Sequence, residues 1–225
     1  MGLFFFAWLA NASSQFVQTS VSELSSGTST NVAITDVGGG NGDATLVLGT
    51  ETSDQAQTAS STKRDFDNTH LLAQTFTAGQ NGFFTGVILS LDRNNSSNTN
   101  GEVTVELRVT SSGAPTTTVL ASADLAASSL NKNGKTDYSF TFLSQPVMAS
   151  GTVYAIVVYR SGSGAITANY NWYSGSGSSD QYAHGGRYEI NLGAENPAWS
   201  LQNSGKGDLR FQTFYRAYAS GMLSS

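Results

Sequence analysis

Over residues 102–109, Val103, Val105, Leu107 and Val109 alternate with Thr104, Glu106 and Arg108. A period of two puts one set on a dry strand face and the other on a wet one, so this segment predicts a half-buried β-strand. Similar runs recur along the chain. Residues 71–77 read as a strand, and 83–91 as another, with Thr85, Val87, Leu89 and Leu91 on one face. Residues 137–142 place Tyr138, Phe140 and Phe142 together. Residues 153–159 are apolar at nearly every position. That predicts a central strand covered on both sides. Strands over 169–173, 187–191 and 209–215 complete the set, with a short edge at 119–121 and a single helical turn over 124–130. Many short strands separated by Gly- and Asn-rich turns predict an all-β fold, a jelly-roll-like antiparallel β-sandwich.

Positions 1–62 read differently, as an extended N-terminal arm. Leu3 to Ala10 are all apolar, and Phe4, Phe5, Phe6, Trp8 and Leu9 form an aromatic plug. The small-residue run Ala10-Asn11-Ala12 resembles an export-signal cleavage site. However, no charged side chain precedes Glu23, where such a signal carries a basic leader. The apolar run is also too short for a bilayer span, which takes about 20 residues. Each Phe-sized side chain contributes about 1.5–3 kcal/mol when fully buried, so the plug is an anchor in search of a socket. The socket is expected on the chain's own domain or on a neighbouring subunit, with a membrane surface as a third option. Residues 31–35 and 44–48, around the turn at 38–42, predict a β-hairpin too small to stand alone. Residues 51–62 read as a polar linker. The expected division is arm 1–62, sandwich 63–218 and tail 219–225.

Only 12% of the 225 residues are charged, and there is no cysteine. That rules out disulfides and thiolate chemistry. Residues 1–62 hold Glu23, Asp36, Asp43, Glu51 and Asp54 but no Lys or Arg, and so carry the whole net charge of −5. With no basic stripe, nucleic acid is not an expected partner.

Several segments in order carry a family resemblance: Leu72-Ala-Gln-Thr-Phe-Thr-Ala78, Gly101-Glu-Val-Thr-Val-Glu-Leu107, and Ser112-Gly-Ala-Pro115 leading to Val119-Leu-Ala-Ser122. They continue with Tyr138-Ser-Phe-Thr-Phe142, Gly151-Thr-Val-Tyr-Ala-Ile-Val157, Trp199 and Asp208-Leu-Arg-Phe-Gln-Thr-Phe214. Together these resemble the choice-of-anchor R modules of bacterial surface and phage proteins, over about two-thirds of the chain. The resemblance implies a jelly-roll-like sandwich and a non-catalytic module displayed on a surface. The chain departs from a cell-anchored member in lacking a good export signal and a C-terminal sorting segment, which favours a virion component. Gln74-Thr-Phe76 and Gln212-Thr-Phe214 are similar, and are expected to pair or lie close, joining the two ends of the domain.

Candidate chemistry is sparse. His70 and His184 have no metal-type spacing, and no nucleophile motif accompanies them, so an enzyme is not expected. Glu102 and Glu106 share a strand face, as solvated carboxylates commonly do. Sugars dock on aromatic rings rimmed by hydrogen-bonding groups, and Trp172, Tyr173, Tyr182, His184 and Trp199 are the candidates for carbohydrate binding, with Tyr170 and Tyr188 nearby. Core packing is the favoured reading of Trp172 and Trp199. The Gly/Ser loop 174–180 is an expected exposed tip. Asp92, Asn94, Asn95 and Asp208 form a candidate calcium set, although their spacing matches no defined loop and turn formation accounts for the same residues. No other cofactor is expected.

The sequence therefore predicts a non-enzymatic structural protein of a phage or virus particle, capsid-decorating or tail-associated. It would dock through its arm onto other virion subunits, with homo-oligomerisation and a virion-surface or extracellular location. A carbohydrate-binding receptor module, taking a cell-surface glycan, and the subunit of an extracellular filament are the alternatives.

Overall fold

The computed structural model describes residues 50–94, 96–162 and 169–217, together with the backbone of four short strands nearer the N-terminus. These four are β1 (Leu3–Phe6), β2 (Gln18–Val21), β3 (Asn31–Thr35) and β4 (Asp43–Val47). β1 pairs antiparallel with β2, Leu3 opposite Val21, and β3 with β4, Asn31 opposite Val47. The strand pairing of the expected hairpin is thus present. Its turn, the side chains of Phe4, Phe5 and Phe6, and all of Trp8 and Leu9 lie outside the described residues, as does Asn95.

Two compact units divide the chain: Glu51–Tyr215, and Met1–Thr50 with Arg216–Ser225. The first contains β5 (Glu51–Gln57), β6 (Thr62–Phe66), β7 (His70–Thr77), β8 (Gly82–Asp92), β9 (Glu102–Ser111) and β10 (Ala114–Ala126). It continues with β11 (Thr136–Thr141), β12 (Val147–Met148), β13 (Val153–Ser161), β14 (Tyr170–Ser174), β15 (Arg187–Asn191) and β16 (Ser200–Leu201), and ends in β17 (Phe211–Ala217). A six-stranded sheet has the order β10-β9-β13-β7-β15-β16. A seven-stranded sheet runs β5-β17-β8-β14-β6, with β11 and β12 also on β8. The chain crosses repeatedly between the sheets, giving the expected jelly-roll-like antiparallel sandwich.

The core lies where the two inner faces meet. Val103, Val105 and Leu107 gather with Leu89, Leu91, Phe84 and Phe140, and Phe76, Tyr170, Trp172 and Phe211 join them. The alternation over 102–109 sets this arrangement: one face of β9 joins the core, and Thr104, Glu106 and Arg108 turn outward. β13 sits between β9 and β7. Both of its faces are covered, as its apolar run requires.

Three expectations need correction. Residues 51–62 are not a linker, since they supply β5 and the start of β6 at the ends of the seven-stranded order. The expected short edge at 119–121 is part of the 13-residue strand β10, whose register shifts at Val119 and Ala121. Asp124 lies in β10, and only Ala127–Ser129 make a helical turn, of 3-10 type. Gln74–Phe76 and Gln212–Phe214 do not pair. They lie in opposite sheets. They do lie close, in that Phe211, the residue just before the second segment, has its ring 6.0 Å from that of Phe76 across the core.

The ends of this unit meet through β5 and β17 instead. Gln55 N–H donates to Thr213 Oγ1 at 2.9 Å, and Gln57 Nε2 donates to the Asp208 carbonyl at 2.6 Å. This places β5 antiparallel to β17, with Glu51 and Tyr215 at the same end of the pair.

Candidate functional site

The five aromatic and histidine candidates do not share a surface. Trp172 is wholly buried in the core, where its indole Nε1 donates to the Arg210 carbonyl at 2.7 Å. It is therefore not a sugar platform. Its neighbour Tyr173 points the other way, onto the outer face of the seven-stranded sheet, and its hydroxyl donates to Asp92 Oδ2 at 2.7 Å. Burial and that carboxylate push the Tyr173 phenol up to about 12. Tyr182 is also buried, edge-on to Phe211 at 5.1 Å, with its hydroxyl donating to Gln55 Oε1. His184 is exposed beside it, ring centroids 5.9 Å apart. The tip of loop 174–180 is exposed at Ser178, Ser179 and Asp180, as expected. Trp199 alone lies on the outer face of the six-stranded sheet.

The calcium set is also separated. Asp92 lies on the outer face of the seven-stranded sheet, covered by its own partners. Its Oδ1 accepts from Asn94 N–H and from Asn171 Nδ2, at 2.7 and 2.6 Å, and Lys63 Nζ stands 3.9 Å from Oδ2. Asp208 is buried between the sheets, accepting from Gln74 Nε2 at 3.0 Å and from the Gln181 and Tyr182 backbone N–H groups at 3.1 Å. Burial pushes the Asp208 carboxyl up, while these three donors pull against it. Asp92 with Asn94 closes a turn, and Asp208 fastens loop 174–186 to the sandwich. Among the described residues no group of three or more His, Cys, Asp or Glu is placed to hold a metal ion.

The two outer faces of the sandwich have different chemistry. On the seven-stranded sheet the outward row is polar: Asp92, Ser90 and Asn171 with Tyr173, then Asp137, which accepts from Arg210 Nη2 at 2.7 Å. A hollow beside Ile88, Asp137, Arg210 and Gln212 holds about 100 Å³. Ordinary small-molecule sites need about 300 Å³ or more.

The outer face of the six-stranded sheet carries a second apolar cluster. Leu71 and Ala73 of β7 and Ala155 and Val157 of β13 form its floor, and Tyr159, Tyr188, Ile190 and Trp199 pack on it half-buried. The register explains the grouping: Val157 stands opposite Ala73, and Ala73 opposite Tyr188. Beside the floor on β9, Arg108 grips Glu106 Oε2 through Nε at 2.6 Å and Nη2 at 2.5 Å, and Tyr159 donates to Glu106 Oε1 at 2.8 Å. Burial and Glu106 hold the Tyr159 phenol at about 12, so it remains a donor throughout the neutral range. Glu106, read from sequence as a solvated carboxylate, is thus largely buried and fully engaged. The β9–β10 turn bends toward this face. Gly113 has a φ of +83°, and a Cβ there would sit 3.3 Å from the Tyr188 hydroxyl. Glycine alone takes that backbone conformation at no steric cost and leaves the hydroxyl its room.

Sequence reasoning missed Tyr159 and the Glu106–Arg108 pair. The available signal was that β7 and β13 are apolar at both odd and even positions, which requires a second covered face. Against known proteins, the sequence matches no protein-family model and no curated protein.

Proposed function

We propose that this chain is a non-enzymatic structural protein of a phage or virus particle, in which residues 1–50 dock and the sandwich is displayed. The observation that carries this reading is the meeting of the two ends of Glu51–Tyr215 at one end of the β5–β17 pair. A domain tethered at one point keeps its remaining surface free for contact, whereas ends at opposite poles suit a link within a longer string. The grouping of Met1–Thr50 with Arg216–Ser225 into a unit of their own agrees with this division of labour. Phe4, Phe5, Phe6, Trp8 and Leu9 supply the apolar anchor on that unit. The pairing of β3 with β4 offers strand edges to a neighbour.

The test is deletion of residues 2–12 in the full chain. The shortened protein keeps the wild-type melting temperature of the sandwich and fails to enter particles. Normal incorporation of the deletion variant overturns the proposal. Electron microscopy of the assembled material separates a closed shell or tail from an open fibre, the outcome belonging to a filament subunit.

A further inference from the structure

We propose that the outer face of the six-stranded sheet, around Tyr159, Tyr188 and Trp199, is a binding site for an uncharged polysaccharide. This inference does not depend on the particle reading. It concerns a face that the sandwich carries wherever it is displayed.

Three observations combine. First, the face is aromatic where sheet faces are ordinarily polar. Tyr159, Tyr188 and Trp199 are all partly open to solvent, and they rest on a floor that is itself fully buried at Ala73, Ala155 and Val157. The rings are therefore braced from below. Second, the apolar surface continues outward. Leu201 lies opposite Tyr188 and is 47% exposed, Leu192 follows β15 at 48%, and Val119 stands opposite Arg108 at 44%. Three of the five large hydrophobic side chains exposed among the described residues thus lie on or beside this one face. Val119 on β10 and Leu201 on β16 stand at opposite edges of the sheet, so it is Leu192 and Leu201 that extend the aromatic cluster, on its β15–β16 side. An exposed apolar patch there marks an interaction site. Third, the face is not purely apolar. Glu106, Arg108 and Tyr159 form a braced hydrogen-bonding cluster, and Thr104, which donates to Asp124 Oδ1 at 2.5 Å, continues the polar row along β9.

A sugar ring matches this mixture. Its C–H face is apolar and lies flat on an aromatic ring, while the hydroxyls at its rim are both donors and acceptors. A pyranose on Trp199 or Tyr188 leaves its hydroxyls free for side chains and water. An extended chain can run along the face and meet the rings in turn. The charge on the face argues for an uncharged chain. Glu106 and Arg108 cancel each other, and Asp124 and the exposed Glu102 are left as residual negative charges, so a polyanion meets no net positive field. A second copy of this protein is the other occupant such a face can take, and the experiment includes it.

The test is native affinity electrophoresis of the full chain through gels containing galactomannan, xyloglucan or mixed-linkage β-glucan, with alginate as the acidic comparison. At least one neutral gel retards the wild-type protein. Trp199→Ala and Tyr188→Ala each weaken retention by tenfold or more. Trp199→Phe, which keeps a ring, retains most of it, and Tyr173→Ala on the opposite outer face leaves it unchanged. Circular dichroism and melting temperature confirm that each variant is folded. Four results overturn the proposal: no retardation in any neutral gel, retardation in alginate alone, equal retardation of wild type, Trp199→Ala and Tyr188→Ala, or a dimer by sedimentation that Trp199→Ala dissociates. The last result assigns the face to a sister copy.

Discussion

The two outer faces of this sandwich are built on the same pleated geometry and handle polarity in opposite ways. On the seven-stranded sheet, outward positions hold Asp, Asn, Ser, Tyr, Lys and Arg side chains that satisfy one another: Asp92 with Asn171 and Tyr173, Asp137 with Arg210. That is how an antiparallel sheet meets water. On the six-stranded sheet the central outward positions are Leu71, Ala73, Ala155 and Val157, and aromatic rings close over them. Water alone does not call for that arrangement. The contrast is what supports proposing the six-stranded sheet as the face for contact, whereas fold class alone treats the two sheets alike.

The comparison breaks most visibly when a charge is placed on each face in turn. Val157 is fully buried. Val157→Asp puts an unpaired carboxylate there, and the expected loss is about 4 kcal/mol or more by urea denaturation, enough to unfold much of the protein. Ser139 on the seven-stranded side is exposed. Ser139→Asp is expected to change stability by no more than about 0.5 kcal/mol. Similar losses from both substitutions would erase the distinction between the faces.

A smaller contrast comes from the ion pairs. The Arg108 and Glu106 side chains are only 14% and 10% exposed. Glu106→Gln leaves Arg108 without its partner in that covered site, at an expected cost of about 1–3 kcal/mol in the same denaturation experiment. The pair between Asp137 and Arg210 is more open. Breaking it with Asp137→Asn is expected to cost about 0–1 kcal/mol.

The smallest effect is alkaline. Tyr159 and Tyr173, one on each outer face, both titrate near 12 when folded, above the ordinary value of 10.0. The folded state therefore holds its phenolic protons after the unfolded chain has begun to lose them. Their contribution to stability is fully present below pH 10 and declines as pH rises from 10 to 12. Melting temperatures measured across that window should fall. Tyr159→Phe and Tyr173→Phe should each flatten the slope.

How much of this was legible in the sequence follows from where the constraint lies. β9 was readable because its core face and wet face alternate cleanly. β13 was readable because Ala155 to Tyr159 is apolar on both faces. β5 was not: Glu51-Thr-Ser-Asp-Gln-Ala-Gln57 has no apolar period, since it is held at the sheet edge by hydrogen bonds such as Gln57 to the Asp208 carbonyl. The face of β14 was ambiguous, because Tyr170 and Trp172 point one way and Tyr173 the other. Only the pairing with β6 and β8 makes Trp172 core. The Tyr159–Glu106–Arg108 cluster depends on the register between β13 and β9, a long-range alignment that local periodicity does not encode.

The central claim, that one outer face makes contact and the other only meets water, is tested most directly by hydroxyl-radical footprinting read by mass spectrometry. Oxidation of Trp199, Tyr188 and Tyr173 is followed in the full-length protein with and without the neutral polysaccharide that retards it. Trp199 and Tyr188 are expected to become protected several-fold while Tyr173 reacts at its unliganded rate. Protection of Tyr173 with Trp199 and Tyr188 still open, or uniform protection of all three, would contradict the claim.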